Sequence, residues 1–284
     1  MNLNASIEKL LAGRWIAGYY LEDAVERTKA FNSKGISTII NFLGENVSER
    51  KDIIKSVDVY LNLIKEINRQ KLDAAISIKP TEIGLLISYK KFLANYLKLV
   101  RSSKNNNVFV WLDMEEPEYV TKTINAYKTA AKYGNTGICI QSYLKRSEAD
   151  ILNIIEYKGV IRLVKGAYKV KTNEVFNSKR ASNHNYAQLM KLLFKKSSKF
   201  TIATHDSRLI EEAIILNKTY KRKVTFAMLN GIRNKYAKHL AGHGQNVSVY
   251  VPFGADWIGY GLRRLTEEGH LSLIIRSLFE KQTL

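Results

Sequence analysis

The segment STIINFLGENVSERKDIIKSVDVYLNLIKEINRQKLDAAISI, Ser37 to Ile78, decides the fold. It opens with the apolar run Ser37–Phe42 and closes with a second, Ala74–Ile78. Between them, Val59, Leu63 and Ile67 recur every fourth residue, which puts them on one face of a helix. Neither run alternates strongly between apolar and polar residues, the pattern expected of a strand buried on both faces. A strand, a helix and another strand in that order predict a parallel pair with a right-handed crossover.

The same unit recurs along the chain. Further strands are expected at Val108–Asp113, Gly137–Gln141, Val160–Val164, Phe200–Thr204, Val224–Met228 and Val247–Val251. Ile83, Leu86 and Ile87 read as another helical face. Eight such units in 284 residues, without a Pro/Gly/Ser-rich linker, predict an α/β protein built as a single (β/α)8 TIM-like barrel. The rival is a doubly wound open sheet. Its G-x-G-x-x-G fingerprint is missing, because the first strand is followed by FLGENVS. Ser6–Ile16 and Glu22–Phe31 read as helices, giving an N-terminal helical segment over residues 1–35 and the barrel over 36–284. Leu271, Ile274, Ile275 and Leu278 mark one face of a C-terminal helix docked on the barrel.

Composition narrows the class. The lone Cys139 excludes an intramolecular disulfide and a cysteine metal cluster, and fits a reducing cytosol. No apolar run reaches the ~18 residues of a membrane span, and the N-terminus lacks the pattern of a signal peptide. A cytoplasmic protein is expected, at most peripheral at the inner face of the cell membrane. The net charge is +19, and Lys165–Lys199 holds nine basic residues against Glu174 alone. These are mostly scattered lysines on polar helix faces, which argues against nucleic acid. They leave open an acidic redox partner or an anionic membrane surface.

A barrel of this type carries its chemistry at the C-terminal ends of the strands. The polar residues there are Glu45, Lys79, Asp113, Gln141, Arg162 with Lys165, His205 and Tyr250. The eighth unit continues YVPFGADWIGYGLRRLTEEG, in which Tyr260, Arg263, Arg264 and Glu267 follow at helical spacing. Two adjacent guanidinium groups beside an aromatic ring suit a substrate with one carboxylate and an apolar body. The plainer alternative is a surface pair, Arg263 to Glu267, stapling the helix. His239 and His243 lie four apart without a third ligand nearby, so no metal is expected. Cys139 sits in an apolar strand and is not expected to be a nucleophile, while Trp15, Trp111 and Trp257 read as core or hinge.

Five segments together resemble the proline dehydrogenase family in its short, monofunctional form. They are FLGE (Phe42–Glu45), WLDME (Trp111–Glu115), RLVKGAY (Arg162–Tyr168), ATHD (Ala203–Asp206) and YVPFGADWIGYGLRRLTE (Tyr250–Glu267). The resemblance implies an FAD-dependent enzyme that oxidises L-proline to Δ1-pyrroline-5-carboxylate by hydride transfer to flavin N5. It implies a quinone or an electron-transfer protein as acceptor. It assigns Lys79, Arg263 and Arg264 to the proline carboxylate, with Asp113 orienting Lys79. It assigns Leu163, Tyr250 and Tyr260 to the walls around the ring. Gln141, Arg162, Val164, Lys165, Gly166, Ala167, Thr204 and His205 fall to the cofactor. Glu267 joins that group and braces the arginines, and Glu45 forms an ion-pair gate with Arg263. Lys79 is a candidate base for the substrate amine if nearby arginines depress its pKa. The chain departs from the family's pattern after Tyr168, where it reads KVKTNEVF, and at Thr225 and Ala227. Two other functions fit parts of the sequence: a flavin barrel acting on another small substrate, and a basic protein that binds nucleic acid or membrane.

Overall fold

The computed structural model describes residues 15–166, 168 and 172–256. Its centre is a closed barrel in which eight parallel strands are hydrogen-bonded in sequence order, with the eighth paired to the first. The elements run α1 Leu21–Asn32, β1 Ser37–Phe42, α2 Arg50–Arg69, β2 Ala74–Ile78, α3 Tyr89–Asn105, β3 Phe109–Leu112, α4 Val120–Ala131, β4 Thr136–Gln141 and α5 Ser147–Glu156. They continue β5 Val160–Val164, α6 Lys179–Lys196, β6 Lys199–Ala203, α7 Ser207–Tyr220, β7 Lys223–Leu229, α8 Asn234–Gly242 and β8 Asn246–Phe253. The expected strands therefore exist, with ends shifted by one or two residues, as at Phe109–Leu112 and Asn246–Phe253.

The strands have two different faces. Ile76, Val110, Ile138, Ile161, Ile202, Phe226 and Val249 are buried in the core that the strands share with the helices. On α2, Ile53, Val57, Tyr60, Ile64 and Ile67 form the matching stripe, at spacings of three and four. Ile39, Trp111 and Ala227 fill the barrel interior, with Ala75, Phe109, Val160, Ala203 and Tyr250 packed around them. Gly137 belongs to this inner packing: a Cβ there would lie 2.5 Å from the Trp111 ring.

The helix starts follow local chemistry. Ser88 caps α3 by accepting from Lys91 N, Ser178 caps α6 by accepting from Ala181 N, and Asp206 caps α7 by accepting from Arg208 N. The cap at Ser88 corrects one expectation. Ile83, Leu86 and Ile87 precede the helix, in turns, with Ile83 buried and Leu86 and Ile87 exposed. Their spacing imitated a helical face inside the loop that follows β2.

The N-terminal part is tied to both ends of the barrel. Ala17 N donates to Pro252 O at 2.8 Å, beside the C-terminal end of β8. From there α1 packs toward the strand starts, where Thr28 Oγ1 meets Thr38 Oγ1 at 3.1 Å and Asn32 bonds the backbone of Asp73. The expected helix at Ser6–Ile16 lies almost wholly outside the described residues, and the terminal helix around Leu271–Leu278 lies outside them entirely. Among the described residues, no helix is long and apolar enough to cross a membrane.

Candidate active site

Strand alternation selects the side chains that enter the barrel mouth. Ser77 and Lys79, Trp111 and Asp113, Cys139 and Gln141, and Arg162 each occupy the inward parity of their strands. Their bonds form one network around Asp113. Oδ1 of Asp113 accepts from Ser77 Oγ at 2.7 Å and from Cys139 Sγ at 3.3 Å, and it forms an ion pair with Arg162 Nη2. Oδ2 accepts from the Tyr250 hydroxyl at 3.0 Å and lies 3.6 Å from Lys79 Nζ. Arg162 Nε also donates to Cys139 Sγ at 2.9 Å, and its guanidinium lies over the rings of Trp111 at 5.0 Å and Tyr250 at 5.6 Å.

Burial would raise the Asp113 pKa, but Arg162 and Lys79 outweigh it and hold the carboxyl below its ordinary range. Asp113 is therefore an anion. Lys79 shows the mirror case. Burial favours loss of its proton, yet Glu45, with Oε1 at 2.9 Å, and Asp113 hold its pKa well above the ordinary value. Its described neighbours are carboxylates, which favour the ammonium; Arg263 and Arg264, on which the expectation of Lys79 as a base depends, lie outside the described residues. Glu45, expected opposite Arg263, meets Lys79; Arg263 lies outside the described residues.

The remaining positions fall as follows. Gln141 ends β4, and its Nε2 donates to Met114 O at 3.0 Å. Gln141 Oε1 and Arg162 Nη1 are buried without a partner among the described residues. Val164 ends β5, where its carbonyl accepts from Ser142 N at 2.8 Å. Lys165 follows and lies 3.4 Å from Asp206 Oδ2; burial chiefly lowers its pKa. Gly166 has φ +104°, and a Cβ there would lie 2.2 Å from the Tyr143 ring, so glycine is needed for the backbone and for the packing. Thr204 is buried after β6 and accepts from Asp206 N at 3.1 Å. His205 is buried beside it; its Nε2 accepts from Leu229 N at 3.1 Å, and its carbonyl accepts from Arg233.

Leu163 is placed differently from the expectation. The alternation that turns Arg162 inward turns Leu163 to the helix side of the strand, where it is fully buried in the larger core. Its backbone carbonyl accepts from the Tyr186 hydroxyl at 3.1 Å. It is not part of the mouth. Ala167, Trp257, Tyr260, Arg263, Arg264 and Glu267 lie outside the described residues.

Sequence reasoning missed several members of the site. Ser77 and Cys139 each stand two residues before an expected one, Lys79 or Gln141, and parity alone identifies them. Trp111, read as core, carries the Arg162 guanidinium. Two buried carboxylates were also overlooked. Glu82 accepts from the Tyr60 hydroxyl at 3.0 Å, and burial pushes its pKa well up. Glu115 accepts from Thr81 N at 2.8 Å and from Thr81 Oγ1 at 2.6 Å, and burial pushes its pKa up to about 7. The His239 and His243 rings lie 4.1 Å apart at the end of α8. Among the described residues, no group of three or more histidine, cysteine or acidic side chains is placed to hold a metal.

A profile of the proline dehydrogenase family matches residues 24–276. Proline dehydrogenase 1 of Bacillus subtilis subsp. natto is 31% identical over 278 residues, covering 96% of this chain and 92% of that protein. The proline dehydrogenase of Deinococcus radiodurans is 30% identical over 266 residues, covering 90% of this chain and 86% of that protein. Proline utilization A from Bdellovibrio bacteriovorus, in a crystal structure inactivated by N-propargylglycine, superposes with a TM-score of 0.87 at 20% identity. That match covers 98% of this chain, and this chain spans 35% of the longer protein.

Proposed function

The chain belongs to the proline dehydrogenase family, and on that premise we propose that it uses FAD to oxidise L-proline to Δ1-pyrroline-5-carboxylate. The observation that carries this reading is the Lys79 amine at the barrel mouth, held by Glu45 and beside the buried Asp113–Arg162–Tyr250 network. A protonated amine with little exposure suits a substrate carboxylate. Arg263 and Arg264 join Lys79 in holding that carboxylate. Three cations around one anion restrict which face of the pyrrolidine ring is presented. Tyr250 walls the ring, its hydroxyl held by Asp113, and Tyr260 walls another side.

The residues present fit a flavin. Gln141 Oε1 is a buried acceptor and Arg162 Nη1 a buried donor, on neighbouring strands paired Cys139 to Arg162 and Gln141 to Val164. A flavin ring offers both an N–H donor and carbonyl and ring-nitrogen acceptors to match them. Lys165, Gly166, Ala167, Thr204 and His205 complete the holding group, with Glu267 bracing the arginines. When bound, FAD supplies at its N5 the acceptor for the hydride that leaves the ring carbon next to nitrogen. Arg162, lying over the Trp111 and Tyr250 rings and paired to Asp113, would hold positive charge beside a bound flavin and so favour its reduced, more negative form. Paired with Glu45 and Asp113, Lys79 is read as orienting the substrate.

Electrons pass onward to a quinone or an electron-transfer protein. The basic surface favours an acceptor at an anionic membrane or an acidic partner. Steady-state oxidation of L-proline by the purified, FAD-loaded protein with a quinone analogue tests the assignment. Turnover of proline supports it; turnover of only other substrates contradicts it.

A further inference from the structure

Three loops at the barrel mouth are joined by one buried side chain that takes no direct part in the network around Asp113. Glu115 lies two residues past Asp113, after β3, and is 1% exposed. Both of its oxygens are used by Thr81, in the loop after β2: Oε2 accepts from the backbone N at 2.8 Å and Oε1 from the hydroxyl at 2.6 Å. Thr81 Oγ1 in turn accepts from Asn46 N at 3.0 Å, in the loop after β1. Thr81 is fully buried and stands two residues past Lys79; Asn46 directly follows Glu45. Asn46 has φ 55°, a left-handed backbone that asparagine adopts more readily than other residues with a side chain. The bond from its N–H to Thr81 ties that turn to the loop after β2. The chain Glu115–Thr81–Asn46 thus fixes the spacing of the loops that carry Lys79 and Glu45, whose side chains meet at 2.9 Å.

We propose that Glu115 is a positioning residue: acting through Thr81, it holds the Lys79 ammonium at the place where the substrate carboxylate docks. This rests on the reading of Lys79 as a carboxylate ligand. Glu115 needs no contact with substrate or cofactor. Its effect falls on binding, because Lys79 is the carboxylate ligand in that reading.

Thr81→Val keeps the shape and the backbone donor but removes the hydroxyl that links Glu115 to Asn46. Thr81→Ser restores that hydroxyl. In the FAD-loaded protein, Thr81→Val raises the KM for L-proline about tenfold while kcat stays within about twofold, the loss expected for one hydrogen bond to a charged group. Thr81→Ser returns KM to near the unmodified value. Equal KM for the Val and Ser variants, or a fall in kcat at unchanged KM, overturns the proposal. Acylation of Lys79, followed by mass spectrometry, gives a readout that needs no substrate. Lys79 is labelled several-fold faster in Thr81→Val and in Glu115→Gln than in the unmodified protein. Unchanged labelling overturns the proposal even if proline is turned over. Faster labelling in a protein that does not oxidise proline sustains the positioning role and removes the substrate reading alone.

Discussion

The Tyr250 hydroxyl, on β8, donates to Asp113 Oδ2, just past β3, at 3.0 Å across the barrel mouth. Asp113 thereby joins opposite parts of the rim, since its other oxygen pairs with Arg162 on β5. Tyr250→Phe removes the donor but keeps the ring. The variant is expected to retain its flavin spectrum and to lose about tenfold in kcat/KM, the worth of one bond to a carboxylate. Spectra and steady-state kinetics of the variant check both parts.

Asp113→Ala should be far more severe. It leaves the Arg162 guanidinium buried, at 4% exposure, without its counter-ion. A loss of about 3–5 kcal/mol in unfolding free energy is expected for breaking such a pair from one side. Urea denaturation of the purified variant measures it; a change below about 1 kcal/mol would contradict the network as drawn.

Glu115 makes stability depend on pH in a predictable direction. Its carboxyl titrates near the ordinary 4.5 when unfolded and at about 7 when folded. The folded state thus binds the proton more tightly. The favourable contribution is complete below about pH 4.5 and is lost as pH rises through about 7, a change of about 3 kcal/mol. Lys79 and Glu45 act on this carboxyl, and it in turn raises Glu82, so the useful quantity is a difference. The stability of Glu115→Gln relative to the unmodified protein should rise between pH 5 and pH 8. A flat difference across that range would show that Glu115 ionises normally.

The strands were readable because each is a short apolar run with a charged or polar residue where it stops, as in Ala74–Ile78 before Lys79. The inner parity was readable too, but only once one inward residue of each strand was known. Arg162 then identifies Leu163 as outward, and Lys79 identifies Ser77 as inward. The false helical face at Ile83, Leu86 and Ile87 arose because apolar spacing does not reveal that Ser88 provides the cap. Glu115, within WLDME, has no role legible in the sequence, since its partner Thr81 is 34 residues away and no local signal marks the pair. The state of Lys79 likewise depends on Glu45, which only the closed barrel brings to it.

Cys139 is expected to be inert. Burial pushes its thiol up to about 12, and it contacts Arg162 and Asp113 inside the barrel. Iodoacetamide at pH 8 should leave the folded protein unmodified and alkylate it in urea. Rapid alkylation of the folded chain would mean that the barrel mouth is open to the level of β4.

Arg263→Met should raise the KM for proline strongly while FAD stays bound, because the arginine's assigned partner is the substrate carboxylate. Unchanged proline kinetics would remove Arg263 from that role and leave it to Lys79 and Arg264.

The visible absorption spectrum of the purified protein, taken before and after anaerobic addition of L-proline, reports flavin, substrate and hydride transfer together. A yellow protein that bleaches with proline, and not with glycine, is the predicted result. A yellow protein that proline leaves unbleached, or a colourless one that FAD cannot reconstitute, would contradict it.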